Sequence, residues 1–244
     1  MQALRSIERS GICGEPIACV GCEARARGVC GALAGDQLVS LSRVSDRRVI
    51  RPGEHVGRAA GESESVSNIL SGVVSLAKRL PDGRQQIVGL QFAPTLVGRP
   101  IAGDDAIEAT AAGPVRVCTI PRSAFEGVLT ANQAFERRVL SQALSQLDET
   151  RDLLVTLARK TALERVATYI NMVVRHARPV GSPGEPGEIP LPLSRGEMAD
   201  FLGLTIETVS RKMTELRKAK IVDFANAASL RILSQTRLDQ AAGG

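Results

Sequence analysis

Residues 193–211 read LSRGEMADFLGLTIETVSR, and this stretch decides the fold. Met198 and Leu202 lie four residues apart, which places both on one face of a first helix. Gly203 supplies a tight turn, and a second helix follows from Thr205 to Ala219. The second helix carries a predicted buried stripe of Ile206, Val209, Met213 and Leu216. The pattern predicts a helix-turn-helix whose second helix is the recognition helix; the alternative is an ordinary helical hairpin with a solvated polar face.

Polar side chains on the second helix point away from this stripe. Glu207, Ser210 and Arg211 are related as i, i+3 and i+4, so they stand side by side. Arginine can bind guanine through two hydrogen bonds, glutamate can accept one from cytosine, and serine can contact several bases. Residues 205–220 carry five basic and two acidic side chains, a local excess that suits a phosphate backbone. The residues predicted to contact double-stranded DNA are Arg195, Thr205, Glu207, Thr208, Ser210 and Arg211.

Composition narrows the function classes. The chain has 244 residues, of which 43% are hydrophobic and 2% aromatic, so we do not expect aromatic stacking on single-stranded nucleic acid. No apolar run approaches the ~20 residues of a membrane helix, and the N-terminus lacks the apolar region of a signal peptide. We therefore expect a cytoplasmic protein without a membrane partner. His55 and His176 are the only histidines and neither has a motif neighbour, so we do not expect an enzyme.

Five cysteines are the second unusual feature, and four of them lie within the first 30 residues. In a reducing compartment such clustering indicates metal or redox chemistry rather than structural disulfides. Cys19 and Cys22 form a Cys-x2-Cys pair, Cys30 follows after seven residues, and the fourth ligand would be Cys13 or Cys118. Thiolate ligands suit either zinc or an iron–sulfur cluster, and the spacing does not choose between them. The alternatives are a small zinc knuckle and a disordered tail with incidental cysteines.

Short strands are predicted from about Leu38 to Pro121. Segments of alternating or β-branched residues recur roughly every ten residues, which favours an antiparallel barrel or jelly roll. The segments are Arg47–Ile50, Ile69–Leu76 around a glycine, the alternating residues Val88, Leu90 and Phe92, and Val115–Ile120.

Helical periodicity begins after Arg122. A long helix is predicted from about Asn132 to Arg159, with a coiled-coil-like seam. We predict that this seam joins two copies of the chain, because a helix-turn-helix usually needs two half-sites; the alternative is packing along the chain's own barrel. The seam consists of Leu140, Leu147, Thr150, Arg151 and Leu154. A further helix from about Thr161 to His176, a Pro/Gly loop at 178–188 and a two-strand wing at 221–224 and 230–233 complete the pattern.

In this order of elements the chain resembles the Crp/Fnr family of bacterial transcription regulators over roughly Leu38 to Leu233. The resemblance implies an α+β fold: an N-terminal cyclic-nucleotide-binding-like antiparallel β-roll or jelly roll, a long dimerisation helix and a C-terminal winged helix-turn-helix. The implied segments are 1–37 (Cys-rich), 38–130 (β-roll), 131–159 (dimerisation helix) and 160–244 (DNA-binding). It also implies RNA polymerase as a partner.

The segment LGLTIETVSR at 202–211 looks like the recognition segment of the Fnr branch. There the residues that match Glu207, Ser210 and Arg211 read a TTGAT-type half-site. The pattern Cys-x2-Cys-x7-Cys followed by Gly31-Ala32-Leu33 is similar to the FnrN/AadR-like group, whose members are oxygen-responsive. The resemblance implies that Cys19, Cys22, Cys30 and Cys118 hold an oxygen-labile [4Fe-4S] cluster, with Cys13 as a spare.

Two departures from the family pattern bear on ligands. The gap between the second and third cysteines is seven residues, whereas Fnr has five. The segment at 93–100 lacks the Gly-Glu that holds a ribose in cyclic-nucleotide members, so we expect no cyclic nucleotide. The alternative is a regulator of the same fold without an iron–sulfur cluster, FixK-like or zinc-holding, with an unknown signal.

Overall fold

The computed structural model describes residues 19, 21–22, 24–56, 65–98, 107–177, 188–226 and 228–243. Cys13 and most of the predicted Pro/Gly loop lie outside the described residues. The chain forms two compact units: Met1–Leu76 with Leu90–Gln146, and Ala77–Gly89 with Leu147–Gly244. The predicted α+β fold, with a β-sheet domain, a long helix and a helix-turn-helix in that order, is confirmed. The four segment boundaries stay predictions.

The strands of the described residues form three sheets. One sheet has the order β1-β7-β2-β5, the second β4-β3-β6 and the third β8-β10-β9. The strands are β1 (Asp46–Ile50), β2 (Ser65–Ser71), β3 (Val73–Arg79), β4 (Gln85–Phe92), β5 (Leu96–Val97), β6 (Glu108–Ala111), β7 (Val115–Pro121), β8 (Ile189–Pro190), β9 (Val222–Asn226) and β10 (Ser229–Ile232).

Seven α-helices are formed by the residues that the structure describes. A 3-10 turn at Val29–Ala32 precedes the first helix. The helices are α1 (Gly35–Val44), α2 (Arg122–Ala131), α3 (Gln133–Arg159), α4 (Ala162–Ala177), α5 (Arg195–Leu202), α6 (Ile206–Lys218) and α7 (Gln235–Ala241). None of them combines the length and the hydropathy that a membrane span needs, among the residues described above.

Three details differ from the sequence-based expectations. The predicted strand Ile69–Leu76 is two strands, because the chain passes from one sheet to another at Gly72. Gly72 has a φ of +94°, and a Cβ at this position would lie only 2.6 Å from the Pro114 carbonyl oxygen. Glycine alone fits there. On β4 the predicted alternation does not describe burial: of Val88, Leu90 and Phe92 only Leu90 is buried, and Ile87 and Gln91 are buried with it. Burial changes phase around Gly89, a residue type that marks strand irregularities.

The region from Leu38 begins with a helix rather than a strand. Leu38 and Leu41 are both buried, and their spacing of three residues is the helical one. They pack in a core cluster with Val29 and Leu33 of the Cys-rich segment and with Phe135 near the start of α3. Val29 and Leu33 are therefore part of the core of the first unit.

Candidate functional sites: nucleic-acid interface and thiol cluster

The helix-turn-helix is fixed by caps at each end of its first helix. Ser194 and Glu197 form a capping box, with the Ser194 amide donating to Glu197 Oε2 at 2.8 Å and the Glu197 amide donating to Ser194 Oγ at 3.3 Å. Gly203 ends the helix in the left-handed conformation, at φ +59°. Arg165 of α4 donates to the Leu202 carbonyl at 3.0 Å and so holds the turn. Sequence reasoning missed this arginine, because its partner is a backbone carbonyl 37 residues away.

The recognition helix lies where the sequence predicts it. Thr205 caps α6, accepting a hydrogen bond from the Thr208 amide at 3.3 Å. Val209, Met213 and Leu216 are buried as predicted. The prediction for Ile206 is wrong, since 52% of this side chain is exposed. Ile206 is the first residue of α6, and its Cδ1 lies 3.9 Å from where a Cβ on Gly196 of α5 would be.

Most of the predicted DNA contacts share one exposed surface at the start of α6. Glu207, Ser210 and Arg211 are exposed, and Thr208 is half-buried beside them. Arg211 Nη2 donates to Thr208 Oγ1 at 3.0 Å, which orients the guanidinium. Hydrogen bonds from its own amide and from Thr205, together with the Arg211 charge, hold the pKa of Glu207 below its ordinary value. The surface therefore presents the ionised carboxylate of Glu207 as an acceptor beside the guanidinium of Arg211 as a donor. These are the groups that hydrogen-bond to cytosine and guanine in the major groove.

Arg195 is placed differently from the other predicted contacts. Its guanidinium lies over the ring of Phe224 in the wing, 5.4 Å from the centroid, and donates to Met198 Sδ at 3.4 Å. Burial lowers the pKa of this half-buried group. A stacked arginine of this kind ties α5 to strand β9. Arg231 on β10 remains exposed in the wing.

Three of the four candidate metal ligands meet at the first sheet. Cys118 lies on β7, and its lateral neighbours in register are Arg47 on β1 and Asn68 on β2. Residues directly opposite one another share a face of the sheet, so these three form a row. Arg47 Nη2 approaches Cys19 Sγ and Asn68 Nδ2 approaches Cys30 Sγ, each at 3.9 Å. The N-terminal segment thus lies across the row that contains Cys118.

The four thiols are close enough to interact electrostatically with one another. Cys19, Cys22, Cys30 and Cys118 are all half-buried and free. Burial, and after it the neighbouring thiols Cys118, Cys19 and Cys22, raise the pKa of Cys30 to about 12. Burial also raises the pKa of Cys19, against the opposing charge of Arg47. As the side chains stand, no three His, Cys, Asp or Glu residues in the described part of the chain are placed to hold a metal ion.

The thiol segment is joined to the start of α3. Arg138 Nη2 donates to the Ala26 carbonyl at 2.8 Å, and Asn132 Nδ2 donates to Gln37 Oε1 at 2.7 Å. Phe135 and Val29 are buried in the same core cluster. A change in the fold of the segment would therefore act first on the N-terminal turns of α3.

The predicted seam of α3 is an exposed apolar stripe. Leu140 is 58% exposed, Leu147 45% and Leu154 61%. Leu144, which sequence reasoning missed, is 54% exposed and lies four residues after Leu140, the spacing that completes a heptad seam. Thr150 and Arg151 are exposed on the same helix, with Arg151 paired to Asp148 at 2.9 Å.

Family models cover both functional regions. A cyclic nucleotide-binding domain matches residues 47–132, and a Crp-like helix-turn-helix domain matches residues 164–241. A probable transcriptional activator from Rhizobium leguminosarum bv. viciae is 46% identical over 213 residues, which are 87% of this chain and 88% of that protein. The chain belongs to the Crp/Fnr family of transcription regulators. The Crp-like domain contains all six predicted DNA contacts, whereas Cys19, Cys22 and Cys30 precede both matched regions.

Proteins with both Fnr and FixK names are similar to this chain. The transcriptional activator protein FnrL from Cereibacter sphaeroides is 31% identical over 227 residues, 92% of each chain. The solved structure of FixK2 from Bradyrhizobium japonicum is 29% identical, with a TM-score of 0.70 over 81% of this chain and 97% of that one. The family is thus established, and assignment to the Fnr branch remains a prediction.

Proposed function

We propose that this protein is an oxygen-responsive, Fnr-type transcription activator. In this proposal it binds a TTGAT-N4-ATCAA-like palindrome as a homodimer when Cys19, Cys22, Cys30 and Cys118 hold a [4Fe-4S] cluster, and it recruits RNA polymerase there. The observation that carries the proposal is the row on the first sheet. Two thiols of the N-terminal segment are held by the residues on either side of Cys118.

The donor set suits the cluster. Four thiolates are the ligands that iron–sulfur clusters take, and the positive charge of Arg47 lies beside them. Arg25 also adds to the positive field at Cys19. The cluster would supply a centre that dioxygen can attack. Metal binding requires deprotonated thiols, so loading of the cluster should release protons from these cysteines.

The chain's own contacts suggest how the thiol segment controls dimerisation. Arg138 and Asn132 join the segment to the beginning of α3, whose exposed leucines form the seam. An ordered segment favours one packing of α3, and a released segment removes two hydrogen bonds and takes Val29 out of the core cluster that contains Phe135. Sensing is then a shift between two conformations of unequal affinity for a second copy.

DNA recognition follows from the surface at the start of α6. In a two-fold dimer, two recognition helices lie about 34 Å apart and meet successive major grooves. In each half-site Arg211 would fork onto guanine, Glu207 would accept from cytosine, and Ser210 would add a third contact. We propose no cyclic nucleotide as effector, because residues 93–100 lack the Gly-Glu that holds a ribose in cyclic-nucleotide members.

A second candidate is a cluster-free regulator of the same fold. Two observations favour it: the likeness to the FixK2 structure, and the absence, within the described residues, of three side chains already placed for a metal. In that case the cysteines are incidental or hold zinc, and the signal acts elsewhere. The DNA-binding surface would be unchanged.

Protein purified without oxygen separates the two candidates. We expect a broad visible absorbance band, about four irons and four sulfides per chain, and bleaching in air. Cys30→Ser and Cys118→Ser should each lose the band, whereas Cys13→Ser should keep it. A colourless protein that holds zinc or no metal, with the same affinity for the palindrome, would exclude the oxygen sensor and support the FixK-like candidate.

A further inference from the structure

We propose that Arg47 and Asn68 are positioning residues for the cluster, each donating an N–H···S hydrogen bond to one ligand thiolate. This inference rests on the proposed function. In this inference Arg47 and Asn68, two residues of the first sheet, determine how long the bound cluster persists.

The two residues occupy equivalent positions on either side of Cys118. Arg47 pairs with Cys118 from β1, and Asn68 pairs with it from β2. Their side chains reach out from one face to different partners, Cys19 Sγ and Cys30 Sγ, at the same distance of 3.9 Å. Because Cys118 lies between them, a group that binds all three sulfurs is held between two N–H donors.

Asn68 is unusual among the core residues. It is 2% exposed, lies next to the apolar residue Ile69, and its Oδ1 has no hydrogen-bond partner in the described structure. An unpaired buried oxygen costs about 1–3 kcal/mol, so asparagine is a poor choice for the fold alone. Its amide nitrogen, however, points at the thiol of Cys30. The residue therefore serves the thiolate rather than the core.

Arg47 contributes charge as well as a donor. It is exposed on β1, and its field opposes the effect of burial on the pKa of Cys19. Four thiolates around a cluster carry a net negative charge, which a neighbouring guanidinium stabilises. Hydrogen bonds to the sulfurs and nearby charge are also the factors that set the reduction potential of an iron–sulfur cluster.

The test uses three variants of the full chain, each purified and reconstituted without oxygen. Asn68→Leu removes the donor with little change in volume, Arg47→Met removes the charge, and Arg51→Met is the matched control. Arg51 is an exposed arginine just after β1, and its backbone amide donates to Glu54 Oε2 at 2.9 Å. Three quantities are measured: the half-life of the visible band against an iron chelator, the midpoint reduction potential, and the thermal midpoint of the apo protein.

We expect Asn68→Leu and Arg47→Met to shorten the half-life about 10-fold or more, the usual loss for groups that support metal ligands. Their reduction potentials should fall, because N–H donors and cations favour the more negative, reduced cluster. The apo form of Asn68→Leu should be as stable as wild type or more stable, since the unpaired oxygen is gone. Arg51→Met should match wild type in all three measurements.

Four other results would each overturn the inference, and they can be told apart. Unchanged half-lives and potentials in a wild type that holds a cluster would contradict the role of Arg47 and Asn68 and leave the proposed function intact. A parallel loss of apo stability in Asn68→Leu would assign that residue to the fold instead. An equal effect of Arg51→Met would mean that only general surface charge matters. A wild type without iron would reject both the proposed function and this inference.

Discussion

At the scale of single residues, base recognition rests on Arg211. Its guanidinium is exposed and oriented by Thr208 Oγ1 at 3.0 Å, so little entropy is lost when it binds a base. We expect Arg211→Ala to lose about 1–3 kcal/mol of binding to the palindrome and to relax discrimination at the G·C pair. Fluorescence anisotropy with the palindrome and with a G·C-to-A·T variant measures both effects.

The matched control for Arg211 is Lys218→Ala, at the exposed C-terminal end of the same helix. It should weaken binding to both DNA duplexes equally and lower the salt dependence, as expected for a phosphate contact. An equal loss on both duplexes for Arg211→Ala would contradict its role as a base reader.

Lys220 allows a prediction about stability. It follows α6 with φ +51°, a left-handed conformation that costs a residue with a Cβ roughly 1–2 kcal/mol. Lys220→Gly should therefore raise the free energy of unfolding by about 1 kcal/mol, whereas Lys218→Gly, at the last residue of the helix, should lower it by at most about 1 kcal/mol. Urea denaturation of the apo chain compares the two. Destabilisation by Lys220→Gly would show that its side chain makes a contact worth more than the backbone cost.

At the scale of elements, α3 carries the dimer hypothesis. Leu147 lies in the middle of the exposed stripe and would face its equivalent across a two-fold axis. Leu147→Asp should weaken the dimer by roughly 3–6 kcal/mol, since two leucines lose their burial, and should leave the helix content unchanged. Sedimentation velocity of the cluster-bound protein, with circular dichroism, measures both.

Ser145→Asp is the control for the seam. Ser145 is also exposed, but it lies five residues after Leu140 and so on the outer face of the heptad pattern. This variant should dimerise like wild type. Monomers in both variants would indicate that charge on α3, rather than the leucine stripe, governs assembly; dimers in both would reject the seam.

Elements with strong periodicity and good caps could be predicted from sequence. The recognition helix begins and ends within a residue of its predicted bounds, because Thr205 caps it and Val209, Met213 and Leu216 repeat at helical spacing. Helix α1 was missed, since its two buried leucines span only one turn. The wing has a third strand, β8, whose two residues are too few to show a period.

Contacts between distant residues could not be predicted in the same way. Stacking of Arg195 depends on Phe224, which a local pattern cannot pair with it. The four cysteines could be selected, but the neighbours of Cys118 follow from strand register, which the sequence alone left undetermined. The proximity of Arg47 and Asn68 to the cysteines therefore could not be predicted before the fold was known.

At the scale of the whole molecule, each step of the proposed mechanism uses a different region of the chain. The N-terminal thiols lie at the first sheet, two polar side chains join their segment to α3, and the exposed leucines follow along that helix. The base-reading surface belongs to the Crp-like domain. The mechanism requires that loss of the cluster weakens the dimer and, through it, DNA binding.

Palindrome binding during exposure to air tests this linkage most directly. Reconstituted protein is mixed without oxygen with labelled TTGAT-N4-ATCAA duplex, and anisotropy and visible absorbance are followed together in one cuvette as air is admitted. We predict that anisotropy falls as the visible band bleaches, and that a duplex with scrambled half-sites shows little binding at any time. Binding that persists at full strength after the band has gone, or that is equally tight in apo protein never exposed to iron, would contradict the account.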